Sequence, residues 1–134
     1  MCYSERSLNI VKLIFRFFTM NNSQLDLNLL SGYLTNLGKD TLNKMLNLYI
    51  EQSNVYLQDI KHALDESSQS LWQEHCHKMK GASASVGCSS VNGLLITMEK
   101  SIEDENIKRK NLQQLKLLNQ TAITEFEQWL AAIG

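Results

Sequence analysis

Proline is absent from this 134-residue chain and only six residues are glycine, so little in the composition interrupts a helix. Charge of neither sign dominates: the formal net charge of −1 argues against a nucleic-acid binder, which would show a basic face or a high pI. Cysteine is scarce. Cys2, Cys76 and Cys88 have no metal-ligand spacing, and an odd number suits a reducing, cytoplasmic compartment better than a disulfide framework. Long apolar runs are missing too, since Ile10 to Phe18 is broken by Lys12 and Arg16 and falls short of the ~20 residues that span a bilayer. What remains is 43% hydrophobic and 20% charged, the balance of one globular domain able to bury its own core.

Residues 1–19, MCYSERSLNIVKLIFRFFT, stand apart. Charges inside the apolar stretch and the lack of an A-x-A-like cleavage site fit a signal peptide poorly. Glu5, Asn9, Lys12 and Arg16 recur at helical spacing, so the segment reads as an amphipathic helix with a narrow polar stripe. Leu8, Val11, Phe15 and Phe18 are spaced to pack on the rest of the chain, and membrane contact is not expected. The division is therefore an N-terminal extension over 1–19 and a domain over 20–134.

Along that domain the apolar residues keep a helical period and nowhere alternate as strands do. Leu25, Leu29, Leu30, Tyr33, Leu34 and Leu37 predict a short helix that Gly38 ends. From Lys39 to Glu66 a long helix carries Leu42, Met45, Leu46, Tyr49, Tyr56, Ile60, Ala63 and Leu64 inward. A third has N-cap candidates from Ser67 to Ser70, with Ser70 and Gln73 fitting a capping box, and runs to Val86 and stops at Gly87. Ser89 or Ser90 is expected to cap a fourth, with Val91, Leu94, Leu95, Met98 and Ile102 inward. Glu103 to Lys110 reads as a polar turn region before a last helix bearing Leu112, Leu115, Leu118, Ala122, Phe126, Trp129 and Ile133. The expectation is all-α: an antiparallel up-down-up-down four-helix bundle, a short capping helix at one end, and the additional N-terminal amphipathic helix.

The third helix holds the unusual chemistry, His75-Cys76-His77-Lys78-Met79-Lys80-Gly81. At about 100° per residue, Trp72, His75, Met79, Ala82, Ser83 and Val86 fall on one face with Cys76 at its margin. His77 points nearly opposite, beside Lys80, Gly81 and Ala84. His75 is thus a core or boundary residue, and His77 faces outward. Metal binding is not expected, because the positions four residues after His75, Cys76 and His77 are Met79, Lys80 and Gly81. Adjacent residues diverge on a helix, which rules out a Cys76–His77 dyad. No glycine loop cradles phosphate, so kinase or ATPase activity is not expected.

Two readings of His77 stay open on these grounds. It is a solvated surface histidine, or it is a nucleophile, since a neutral imidazole nitrogen is available near neutral pH. The second gives its neighbours tasks. Lys80 lies one turn on and can hold a phosphoryl oxygen through a charge-assisted hydrogen bond. Gly81 costs roughly 1 kcal/mol relative to alanine inside a helix, and clearance for a partner beside His77 would account for it.

The run from His77 to Gly87, HKMKGASASVG, closely resembles the signature of histidine-containing phosphotransfer (HPt) domains: His, any, apolar, Lys, Gly, small, small, any, any, apolar, Gly. SGYLTNLGKDTLNKMLNLYIEQSNVYLQDIKHAL resembles the segment leading into that site, and SVNGLLITMEKSIE resembles the helix after it. Cys76 departs from the alanine commoner there, and no redox role follows. The resemblance spans roughly residues 25–132 and leaves the first nineteen aside. It implies that His77 accepts and donates a phosphoryl group, that Lys80 stabilises it, and that Gly81 leaves room for the partner. The implied partners are receiver domains of response regulators or hybrid sensor kinases. They would supply the Mg²⁺, so no cofactor is expected of this chain. It would be a phosphocarrier in a two-component phosphorelay rather than an enzyme, either stand-alone or one domain of a hybrid kinase. The alternative is a helical-bundle interaction module that binds signalling partners without relaying phosphate.

Overall fold

The computed structural model describes residues 24–133, and among them five helices follow one another with no strand. Helix α1 spans Leu27–Leu37, α2 Lys39–Asp65, α3 Gln69–Ser85, α4 Ser89–Lys100 and α5 Glu105–Ala132. The proposed helix over residues 1–19, and the division from 20 onward, lie outside the described residues.

Cross-helix pairings set the directions. Along α2, Lys39 bonds Ile133 O, Tyr49 bonds Asn119 and Asp65 faces Arg109, so α5 runs backward as α2 runs forward. The same holds between α3 and α4, where Gln69 at the start of one donates to Ser101 O just past the end of the other. The result is the antiparallel bundle expected, with α1 laid against one end, where the Tyr33 hydroxyl donates to Ser85 O.

The core follows from the stripes. Leu42 and Ile60 from α2, Trp72, Cys76 and Met79 from α3, Val91, Leu95 and Met98 from α4, and Leu115 and Phe126 from α5 are buried together. Large apolar side chains of this kind each contribute about 1.5–3 kcal/mol when fully buried. Polar groups that enter the core arrive with partners. The Tyr49 hydroxyl donates to Asn119 Oδ1 at 2.6 Å, and Asn119 Nδ2 donates to Ser53 Oγ at 3.1 Å; such mutual satisfaction is what makes their burial tolerable. The Trp72 indole N–H likewise finds Met98 O at 2.7 Å.

Several local expectations change. Asp26 caps α1 by accepting from Leu29 N–H, so Leu25 lies ahead of the helix, though buried. Of the cap candidates from Ser67 to Ser70, Ser68 caps α3 by accepting from Leu71 N–H, so the capping box at Ser70 and Gln73 is not the one used. Neither Ser89 nor Ser90 caps α4. Cys88 occupies the cap position without a side-chain bond, because the Ser89 hydroxyl and Ser90 N–H are both engaged with Gln24 O from the preceding chain. Ile102 is 85% exposed, since α4 ends at Lys100 and the backbone turns extended at Ser101. The Glu103–Lys110 stretch is no turn region: Asp104 caps α5 by accepting from Ile107 N–H, and the charges that follow are helical. Cys76 sits in the core rather than at its margin.

The α3–α4 turn is closed by a Schellman arrangement, in which Cys88 N–H donates to Ser83 O and Gly87 N–H to Ala84 O. Gly87 holds φ +76, and a Cβ there would approach the Leu30 side chain to 3.3 Å. Gly87→Ala is therefore expected to lower stability by about 1–2 kcal/mol, the cost of a left-handed L-residue. Denaturant unfolding checks this, and an unchanged midpoint would mean the turn relaxes freely.

Candidate functional site

Burial of Trp72, Cys76, Met79 and Ser83 fixes how α3 is rolled in the bundle, and the roll sorts the histidines. His75 falls at the edge toward α2, its side chain only 16% exposed and its Nδ1 3.9 Å from an Asp59 oxygen without a hydrogen bond. His62 is exposed on α2 beside Glu66. His77 projects from the surface with its side chain 67% exposed.

Two of the three residues singled out from the sequence, His77 and Lys80, meet on a third group. His77 Nδ1 lies 2.6 Å from Glu99 Oε1, and Lys80 Nζ donates to Glu99 Oε2 at 2.5 Å. Glu99 stands near the end of α4, so this carboxylate joins the two helices at the site. The main chain beneath is tied as well. Lys80 O accepts from Asn92 Nδ2 at 2.9 Å and from Ser83 Oγ at 2.9 Å, which holds α4 against the turn of α3 that carries the lysine. Lys80 is only 27% exposed, less open than its place on the wheel suggested, because its amine is drawn to Glu99.

Gly81 lies beyond this cluster on the outer side of α3, and a Cβ there would find nothing within 4 Å. Packing within the bundle therefore does not demand a glycine at this position, and Ala84 beside it is also exposed. Directly beside His77 and Lys80 the two helices carry one ion-paired cluster, and a turn farther along they leave bare backbone.

Electrostatics favour charge on Glu99. The Lys80 hydrogen bond, and after it that of His77, hold its carboxyl below the usual carboxylate range against the opposing pull of burial. Burial pushes the Cys76 thiol up to about 12 and the Cys88 thiol likewise to about 12, so both stay protonated and unreactive near neutrality. Among the described residues no group of three His, Cys, Asp or Glu side chains could hold a metal ion, and no helix is long and apolar enough to cross a membrane.

Glu99 is the residue that sequence reasoning missed. It was visible only as the glutamate late in the fourth helix, next to the inward Met98, and nothing in local spacing linked it to a histidine 22 residues earlier.

The model of the Hpt domain family matches residues 44–133 of the chain. No curated protein matches it. Among solved structures, the histidine-containing phosphotransfer domain of ArcB from Escherichia coli is similar, with a TM-score of 0.76 at 20% identity over 86% of this chain and 99% of that one. At such identity the likeness speaks for the fold.

The ion-paired cluster predicts a pH dependence. A carboxyl held below its ordinary 4.5 stabilises the fold fully above that value and loses its contribution as pH falls through the depressed one. Wild type is expected to melt above Glu99→Gln near neutrality, with the gap closing below about pH 4.5. Melting temperatures followed from neutral pH to about pH 3 check it; a gap that stays constant would show that the charge of Glu99 contributes nothing.

Proposed function

The chain belongs to the Hpt domain family, and from that premise we propose that it relays a phosphoryl group between receiver-domain aspartates through His77 in a two-component phosphorelay. The observation that carries the reading is the exposure of His77 inside the matched span, with Lys80 one turn on and open space at Gly81. In this reading the chain is a phosphocarrier without kinase activity of its own. It contributes a positioned nucleophile, whereas the receiver brings the Mg²⁺ and the carboxylates that stabilise in-line transfer. Lys80 spends one hydrogen bond on Glu99, and an ammonium has three donors, so two remain for a phosphoryl oxygen. Gly81 and Ala84 give the receiver's rim a place to descend.

His77→Gln is expected to abolish labelling by a phosphorylated receiver while shifting stability within about 0.5 kcal/mol, the usual range for an exposed site. His75→Gln and His62→Gln should leave labelling substantially intact, and Lys80→Ala should slow it without preventing it. Label that persists in His77→Gln would sink the assignment. A wild-type chain that binds receivers yet never takes label would favour the interaction-module reading.

Gly81→Gln should separate stability from transfer. Glutamine forms helix better than glycine by well over half of a ~1 kcal/mol penalty, and a side chain there meets no neighbour at its base, so the melting temperature should hold or rise. Helical side chains lean toward the N-terminus, which lays the new one across His77. Transfer from a receiver is then expected to fall sharply, while phosphoramidate, a far smaller donor, still labels the histidine. A destabilised fold with receiver transfer intact would make Gly81 structural instead.

A further inference from the structure

On the side of the bundle away from the α3–α4 cluster, α2 and α5 leave a groove of about 550 Å³ between them. Its apolar lining is Ile50, Leu57 and Ile123, of which Leu57 and Ile123 are buried. Lys116, Gln120, Ile123 and Glu127 form the α5 wall. They follow one another at steps of four, three and four, so they leave the helix within about 60° of one another. Among the described residues neither Lys116 nor Glu127 has an ion-pair partner, and Lys61 on the α2 wall has none either. An apolar floor rimmed by unpaired charges calls for an amphipathic occupant of complementary charge.

The sequence ahead of the described residues has that pattern. Its polar stripe, Glu5, Asn9, Lys12 and Arg16, also proceeds by steps of four, three and four. Laid as a helix parallel to α5, it sets Glu5 against Lys116, Asn9 against Gln120 and Arg16 against Glu127, two pairs of opposite charge and one of amides. Lys12 falls opposite Ile123, where its stem covers the isoleucine and its ammonium reaches Glu127. Leu8, Val11, Phe15 and Phe18 lie beside the stripe and turn to the apolar floor. The reverse direction would set Glu5 against Glu127 and Arg16 against Lys116, so charge selects the parallel one. The entry of the chain permits it. Gln24 N–H donates to Glu125 Oε2 at 2.8 Å, level with the Glu127 end of the groove but on the far side of α5, since two steps along a helix turn by about 200°. Residues 17–23 have one helix to cross, about 10–12 Å thick, and seven residues reach up to about 23–25 Å. We propose that residues 5–18 dock as a helix in the α2–α5 groove of their own chain, parallel to α5 and in this register. The face that carries His77 is left free, so the proposal stands apart from the carrier reading.

The full chain provides the test. Carbodiimide coupling joins a carboxylate directly to an amine only where the two are in contact. In an equal mixture of ¹⁴N and ¹⁵N chains it should give Glu5–Lys116 and Lys12–Glu127 peptides, each of a single isotope. Amide hydrogen exchange over residues 5–18 should be slower in wild type than in Phe15→Asp by on the order of 10–100-fold, the factor set by burying a large apolar side chain. A charge swap tests the register, which a segment that merely adheres would not obey. Lys116→Glu or Glu5→Lys alone should speed exchange over residues 5–18 by roughly 2–5-fold, the range of an exposed ion pair, and the two together should restore it. Both positions are remote from the bundle core, so folding is not at stake. Coupled peptides of mixed isotope would overturn the proposal by giving the groove to a second copy. Wild type that yields neither peptide and pellets with phosphatidylserine vesicles would overturn it in favour of a lipid surface. Exchange as fast in wild type as in Phe15→Asp, or a double swap that restores nothing, would overturn it as well.

Discussion

Everything at the surface of α3 depends on what that helix buries. Trp72, Cys76, Met79 and Ser83 enter the core, and each step along a helix turns the side chain by about 100°. Once Cys76 is inside, His77 has to be outside. No interaction of the imidazole itself is needed to hold it out, since close-packed interiors resist rotation of a whole helix.

The polar layer above that core is organised by the pairing of α3 with α4. Asn92 anchors the backbone at Lys80, and Glu99 takes both the lysine amine and the histidine ring. A single carboxylate on α4 thereby sets the spacing of two side chains on α3. The lysine pair is only partly exposed, so the cluster contributes geometry together with the charge-dependent stability that Glu99 carries above its lowered pKa. The adjoining bare stretch at Gly81 and Ala84 works in the opposite sense: it is defined by what does not project from it. In the proposed relay, reactivity on one turn and clearance on the next would be the two demands of handing a group to a bulky partner.

Helix ends show where local signals compete. The stretch from Ser67 to Ser70, and Ser89 or Ser90, all have the chemistry of caps; Ser68 took the first role and Gln24 claimed the serines of the second. Several residues near a helix start can satisfy its free N–H groups, and the choice among them is made by where the incoming chain lies. The acidic and basic run after Ser101 misled for a related reason. Charges are as much at home on the exposed face of a helix as in a turn, and Asp104 alone marks which it is.

What the sequence by itself determined is whatever a single helix carries within it. The 3.6-residue period, the absence of proline and the outward register of His77, Lys80 and Gly81 are all one-dimensional facts, because a helix converts spacing directly into direction. Glu99 was not legible in that way. Its meeting with His77 depends on how two helices separated by the Val86–Cys88 turn are rolled and slid against each other, and that is set by the shared core in which Cys76 and Met79 are buried together with Val91, Leu95 and Met98. Only the tertiary structure decides such a contact, since the energy that fixes it lies in side-chain packing between segments and not in the sequence of either one.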